Sequence, residues 1–185
     1  MHTFDPGNAD RLERPERYEL LRPVDTLRQF GLGPSMTCVD AGAGTGFFAR
    51  AAADVVGPSG RVYAVDSSGE MLDIMRGLGL PPQVRTLQSQ AYAIPLADGA
   101  ADMALAAFVV HEVPDRKRFI EELFRVVRPG GRLVILEWKK QAEEHGPPEE
   151  ERLAEEELDG VLRLFSPVAG GSLNPSHYFR IIERR

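Results

Sequence analysis

The chain has a single cysteine, Cys38, in 185 residues. An internal disulfide is therefore excluded, and one sulfur cannot build a zinc cluster or a thiol relay. Cys38 lies in a short apolar stretch and is expected to be a small buried hydrophobe. No apolar run approaches the ~20 residues that a membrane-spanning helix needs. The N-terminus lacks the basic, apolar and small-residue order of a secretory leader, so the expected address is the cytoplasm, with no membrane partner. Bases are outnumbered by acids, 22 to 28, for a formal net charge of −6. No basic stripe with interleaved aromatics is present, and nucleic acid is disfavoured as a partner. At this length the chain is expected to make one domain with a real core, too short for a cofactor domain plus a separate substrate domain.

What is present is most informative between Val39 and Phe48. An apolar run from Met36 ends in Asp40; Gly42, Gly44 and Gly46 follow at alternate positions, then apolar residues at helical spacing. The pattern predicts a buried strand ending at Asp40, a tight turn, and a helix starting near Phe47. Glycines serve where the backbone takes unusual dihedrals or where a ligand must approach it without meeting a Cβ. The helix start adds free N–H groups and a partial positive charge. Such a loop suits part of a nucleotide-like cofactor; a plain strand–helix turn is its bland alternative. The dinucleotide fingerprint G-x-G-x-x-G would place a small third residue where this chain has Phe47, which argues against a nicotinamide oxidoreductase.

A second strand is expected over Arg61–Asp66, with Ser67-Ser68-Gly69-Glu70 as a capping box opening a helix that carries Met71, Leu72 and Met75 on one face. An acid at the end of that strand suits a ribose diol, since a carboxylate accepts both hydroxyl protons; a helix-capping acid is the other reading of Asp66. Further strands are expected at about Gln83–Leu87, Met103–Val110 and Leu133–Trp138, with a helix over Phe119–Val127. Arg14-Pro15, Arg22-Pro23 and Gly31 frame two short helices at about 15–21 and 23–30. Phe165–Val168 and His177–Ile182 read as two last strands around a turn at 170–175. Between Glu143 and Asp159, nine acids face one base, Arg152. That stretch reads as a linker and a helix with a solvated face, with Leu153, Leu158, Val161, Leu162 and Phe165 inward.

Taken together, Asp40-x-Gly42-x-Gly44-x-Gly46 resembles motif I of the class I S-adenosylmethionine-dependent methyltransferases. The segments Ile94–Asp102 and Arg125-Val126-Val127-Arg128-Pro129-Gly130-Gly131 resemble later signatures of the same family, so the likeness covers about residues 36–140. Phe4-Asp5-Pro6, Arg14-Pro15-Glu16-Arg17, and Glu137-Trp138-Lys139-Lys140 followed by Gly146-Pro147-Pro148 are similar to a type 11-like subgroup of small bacterial and archaeal methyltransferases. The lone cysteine sets the chain apart from the arsenite-methylating members.

The resemblance implies a doubly wound, mostly parallel seven-stranded sheet in three α/β/α layers, with an antiparallel C-terminal hairpin. It implies one domain: a helical preface over the cleft (1–33), a cofactor core (34–140), and an acidic linker, helix and strand pair (141–185). The implied cofactor is S-adenosyl-L-methionine, held by Asp40, Ala41, Gly42, Gly44, Gly46, Phe47, Asp66, Ser67, Met71, Gln90, Ala91 and Phe108. Gln90 stands where the family commonly has an acid for the adenine amino group, and its carbonyl can still accept that bond. The implied reaction is in-line methyl transfer to a small molecule, without a metal.

His111 is the candidate base, with packing or capping as its alternative role, and Glu137 is the next carboxylate in reach. His2, His145 and His177 have weaker claims, His145 as a solvated residue. Phe4, Tyr18 and Leu21 are either lid residues or docking residues. Phe4, Tyr18, Phe108, Trp138 and Tyr178 suggest an apolar or aromatic acceptor, unless they are core. A non-catalytic module that binds or senses the cofactor stays open as an alternative, as do the atom methylated and the oligomeric state, a homodimer included.

Overall fold

The computed structural model describes residues 6–185. Its centre is a seven-stranded sheet built from β1 (Thr37–Ala41), β2 (Arg61–Asp66), β3 (Val84–Gln88), β4 (Ala101–Ala107), β5 (Val127–Trp138), β6 (Pro167–Ser172) and β7 (His177–Glu183). The strand order is β3-β2-β1-β4-β5-β7-β6. The first five strands pair in parallel, β7 joins β5 antiparallel, and β6 closes the hairpin. The order reverses between β1 and β4, and the crevice outside that switch point is where such sheets bind ligands.

Side chains of the central strands alternate between two cores, while β6 stays exposed along most of its length. Cys38, Val62, Met103 and Leu136 face a layer made by α1 (Pro15–Leu21), α2 (Pro23–Gln29), α3 (Phe47–Val56) and α4 (Gly69–Gly77). Val39, Ala104, Leu133 and Ile135 face α5 (Arg116–Val126) and α6 (Glu155–Leu162). Fully buried apolar side chains on both faces explain why the central strands read as near-continuous hydrophobic runs. Among the described residues, no helix is long and apolar enough to cross a membrane.

Several boundaries differ from the sequence expectation. β4 stops at Ala107 because Phe108 turns the chain at φ 60°. The α4 cap is Ser68, whose Oγ accepts the Met71 N–H at 3.2 Å; the cap falls one residue after the expected Ser67, and with Met71 rather than Glu70 at the third helical position the expected capping box is not formed. β5 begins at Val127 and includes the Pro-Gly-Gly segment, tied back by Arg128 to Asp102 at 2.7 Å. β6 extends to Ser172, so the expected turn moves to 173–176. Gly170 lies inside this strand because a Cβ there would meet Arg180 Cδ at 2.6 Å. A 3-10 segment over Pro6–Glu13 carried no sequence signal.

The acidic stretch is not simply a solvated linker. Arg152 is buried (3% exposed), and its guanidinium donates to the carbonyls of Lys139, Gln141, His145 and Pro147 and to Glu143. Leu153, Leu158 and Leu162 are fully buried, and Val161 and Phe165 are partly so.

Candidate functional site

The glycine turn takes φ values of 73° at Gly42, 54° at Gly44 and 86° at Gly46. Three left-handed residues in five require glycine on conformational grounds alone. Their surroundings differ. A Cβ on Gly42 would meet Val109 Cγ2 at 2.6 Å, and one on Gly46 would meet Met75 Cγ at 2.7 Å. Among the described residues, a Cβ on Gly44 would touch only Leu12, at 3.4 Å. Two of the glycines thus permit packing within the fold, while Gly44 keeps the turn open beneath the N-terminal segment.

The turn is anchored to β2. The Gly42 and Ala43 N–H groups both donate to Val65 O, at 2.8 and 3.0 Å. The Asp66 carboxylate is braced from two sides: Oδ2 accepts the Gly44 N–H at 2.8 Å, and Oδ1 accepts the Ser68 N–H at 2.9 Å. Each oxygen keeps a further lone pair. Asp40, only 3% exposed, sits at the end of β1. Burial pushes its carboxyl up to about 7, helped by Asp66 and opposed by Arg17 and the Ala49 N–H.

The N-terminal segment covers this loop. Glu13 accepts from the Thr45 hydroxyl at 2.5 Å, from Arg50 at 2.5 Å and from the Tyr18 hydroxyl at 3.1 Å. The Tyr18 ring packs 4.4 Å from that of Phe47. Arg17 lies 4.3 Å over Phe47 and 5.6 Å from the Phe108 ring, and burial lowers its pKa to about 10. Leu21 is core. Phe4, Asp5 and His2 lie outside the described residues.

Around the cleft, Ser67 is exposed and its carbonyl accepts from Gln88 Nε2 at 3.1 Å. Met71 is buried at 3% exposure. Gln90 is exposed after β3, with Ala91 half-buried beside it, and the Ser89 N–H ties this bend to Asp66 O at 3.0 Å. The Ala41 side chain belongs to the core, which leaves only its backbone for a ligand.

At the ends of β4 and β5 lies a buried pair. Glu137, fully buried, accepts the His111 backbone N–H at 3.1 Å through Oε1 and lies 2.9 Å from His111 Nδ1 through Oε2. A carboxylate acceptor puts the ring proton on Nδ1 and leaves Nε2 for other work. Burial, the largest single effect, opposes charge on His111, but Glu137, Glu112 and Glu151 together outweigh it, and the pKa is raised. Glu112 Oε1 is 4.0 Å from His111 Nε2; burial pushes this carboxyl up to about 7, against His111 and with Glu137, Asp66 and Glu151.

An aromatic chain leads away from the loop. Phe108 contacts Phe48, Trp138 and His177 at ring distances of 6.4, 5.5 and 4.9 Å, and Trp138 lies 4.2 Å from His177. Gly146 abuts the Trp138 ring, where a Cβ would come within 2.9 Å, and Arg152 sits 5.0 Å from that ring. Tyr178 is not part of this group: it lies in the other core, donating its hydroxyl to Leu153 O at 2.8 Å. Sequence reasoning missed Glu13, Arg17 and Arg152, although a lone base among nine acids was a legible signal for the last.

A glycine turn above a braced carboxylate, at the switch point of a 3-2-1-4-5-7-6 sheet, defines a doubly wound fold that binds a nucleoside-bearing cofactor. The family described as "Methyltransferase domain" matches residues 39–135, more than half of the chain. The chain belongs to the class I S-adenosylmethionine-dependent methyltransferases. It is 34% identical to a SAM-dependent methyltransferase of Aquifex aeolicus whose crystal structure superposes with a TM-score of 0.91, covering 97% of this chain and 98% of that one. A type 11 methyltransferase of Sulfolobus solfataricus shares 25% identity at a TM-score of 0.69, over 93% of this chain and 92% of that one. Ubiquinone/menaquinone biosynthesis C-methyltransferase UbiE of Pasteurella multocida is 36% identical over 119 residues, 62% of this chain and 44% of that protein. The chain spans about half the length of the curated relatives it matches.

The residues present fit S-adenosylmethionine. Asp66 retains a lone pair on each oxygen for a ribose diol, Gly44 offers backbone without a Cβ, and Asp40 and Arg17 supply opposite charges.

Proposed function

We propose that this chain transfers a methyl group from S-adenosylmethionine to a small-molecule acceptor held at the carboxyl edge of the sheet. The observation that carries the reading is the double bracing of Asp66 by the Gly44 and Ser68 N–H groups, which aims one fixed carboxylate at the mouth of the glycine turn. The bound cofactor supplies an activated methyl on a sulfonium, so the protein must chiefly position, shield and balance charge. Alignment alone is worth ~7–11 kcal/mol.

Asp66 accepts the ribose hydroxyls. Asp40 and Arg17, electrostatically coupled to each other, face the ammonium and carboxylate of the methionine part. Gln90 and Ala91 meet the adenine edge, with Ser67 and Met71 beside it. The Tyr18–Phe47 contact and the Glu13 bonds exclude water from the turn. His111, oriented through Nδ1 by Glu137, presents Nε2 as the base for an acceptor that must lose a proton, and Glu112 can hold a proton beside it. An acidic chain without a basic stripe supports a small molecule over nucleic acid as acceptor.

Calorimetric titration with S-adenosylmethionine and S-adenosylhomocysteine tests this reading. Micromolar binding is expected, weakened at least tenfold (~1.4 kcal/mol) by Asp66→Ala. No binding of either ligand would overturn it.

A further inference from the structure

The sheet ends in two unlike edges. β3, at one end, carries the exposed Arg85, and Arg76 of α4 bonds the Thr86 hydroxyl at 3.0 and 2.9 Å. Charges set along an edge strand keep a foreign strand from pairing with it. β6, at the other end, runs Pro167-Val168-Ala169-Gly170-Gly171-Ser172 and contains no charge. Its protection is confined to its start, where Pro167 lacks an N–H and the register shifts between Pro167 and Ala169. From Ala169 to Ser172 the strand is regular.

The direction of its backbone groups follows from the hairpin. The Leu173 N–H donates to His177 O at 2.9 Å, so Leu173 faces β7. Backbone groups alternate in direction along a strand, so Ala169 and Gly171 face β7 as well, and the N–H and C=O of Gly170 and Ser172 point outward. Among the described residues, β6 has a strand neighbour on one side only.

Apolar surface gathers at the same place. Leu164, just before β6, is 75% exposed, and Val168 is 50% exposed. A shallow hollow of about 370 Å³ runs along the strand, lined in part by Glu155, Val168, Gly170 and Arg180. Its charges are already matched, since Arg180 donates to Glu155 at 3.0 Å and to Asp159 at 2.6 and 2.9 Å. An uncharged edge with outward N–H and C=O groups is a template for one more strand. A strongly charged strand would find no free countercharge in β6 or on Arg180.

A second copy of β6 meets these conditions. Antiparallel pairing about a two-fold axis at Gly170 sets Val168 opposite Ser172 and Ala169 opposite Gly171. Each larger side chain then faces a small one, and no like charges meet. The two Gly170 residues exchange N–H···O=C bonds on the axis. We infer that this chain forms a two-fold dimer by antiparallel pairing of β6 with the β6 of a second copy, which joins the two sheets into one. The inference is independent of the methyl-transfer reading. β5 and β7 stand between this edge and the switch point at β1 and β4, so the dimer leaves the cleft open. One short strand per copy, with Leu164 and Val168 beside it, makes a contact at the small end of specific interfaces, and the association is weak.

Sedimentation equilibrium of the full chain across the micromolar range tests this, together with amide exchange at low and high concentration. Wild type is expected to show a monomer–dimer equilibrium with a Kd of about 10–100 µM. The Gly170 and Ser172 amides should exchange more slowly at the higher concentration. Val168→Lys guards the edge as Arg85 guards β3 and should weaken association at least tenfold. Leu78→Lys makes the same kind of change at a 52% exposed leucine at the end of α4 and should leave association unaltered. A chain that stays monomeric throughout would overturn the inference and leave the edge to a different chain. So would a dimer in which those two amides exchange at the monomer's rate, or one that Val168→Lys weakens no more than Leu78→Lys does. Should Val168→Lys not fold, amide exchange in the wild type decides alone.

Discussion

Glu137 grips His111 twice, taking its backbone N–H at 3.1 Å and its Nδ1 at 2.9 Å, from a position with no solvent exposure. One carboxylate thus sets both where the imidazole stands and which nitrogen is free. Glu137→Gln removes the charge and keeps the volume. The His111 pKa, raised in the native chain because Glu137, Glu112 and Glu151 together outweigh burial, should fall once the Glu137 charge is gone. An imidazole titration followed by NMR reads this directly, and an unmoved midpoint would show that Glu137 does not govern the ring. If His111 acts as the base, His111→Ala lowers turnover ~100-fold or more with cofactor binding intact, and the acidic limb of the pH–rate profile in Glu137→Gln moves to lower pH.

Asp40 costs the cofactor-free protein stability. Burial raises its folded pKa to about 7, above the unfolded value of 3.8. A group raised in this way binds its proton more tightly when folded. Its contribution is present below the unfolded pKa and is lost as pH climbs through the folded one. The same sign holds for Glu112, also raised to about 7. Without cofactor, stability should therefore decline between about pH 4 and pH 7 on account of these two groups. Asp40→Asn, which still accepts the Ala49 N–H, should gain on the order of 1–2 kcal/mol at pH 8, a Tm rise of about 3–6 °C. A Tm difference that does not shrink between pH 8 and pH 5 would contradict the assignment.

The motif glycines should separate by phenotype. Gly42→Ala meets Val109 at 2.6 Å on top of a φ of 73°, so loss of stability by a few kcal/mol is expected. Gly44→Ala meets, among the described residues, only Leu12 at 3.4 Å, and its cost is the backbone strain of roughly 1 kcal/mol. Cofactor affinity should nonetheless fall more sharply than stability in Gly44→Ala, because the added methyl faces the turn's open side. Urea midpoints beside calorimetric affinities for the two variants read the contrast. Equal losses in both properties would mean that Gly44 serves packing alone.

Much of this was legible in the residues. The turn from Asp40 to Phe47 could be read because three alternate glycines admit few alternatives, and β2 ended at Asp66 as its apolar run ended. The boundaries that slipped did so for local reasons. Phe108 looked like the continuation of an apolar strand, and only the left-handed turn that places its ring among Trp138 and His177 stops β4 there. Gly170 and Gly171 looked like a turn, but Arg180 lies across the first of them. Contacts such as Glu13 with Thr45, or His177 with Trp138, join segments far apart in sequence, and no spacing rule can announce them.

Arg152 shows how unevenly a segment can store its specification. The path from Lys139 to Arg152 bends round one guanidinium, which gathers four carbonyls and Glu143 and lies over the Trp138 ring. The acids exposed along that path are interchangeable in shape, whereas the single hub is not. Sequence drift can therefore rewrite the exposed acids of this loop without altering its course, whereas Arg152, and Gly146 against the Trp138 ring, are held by what they touch.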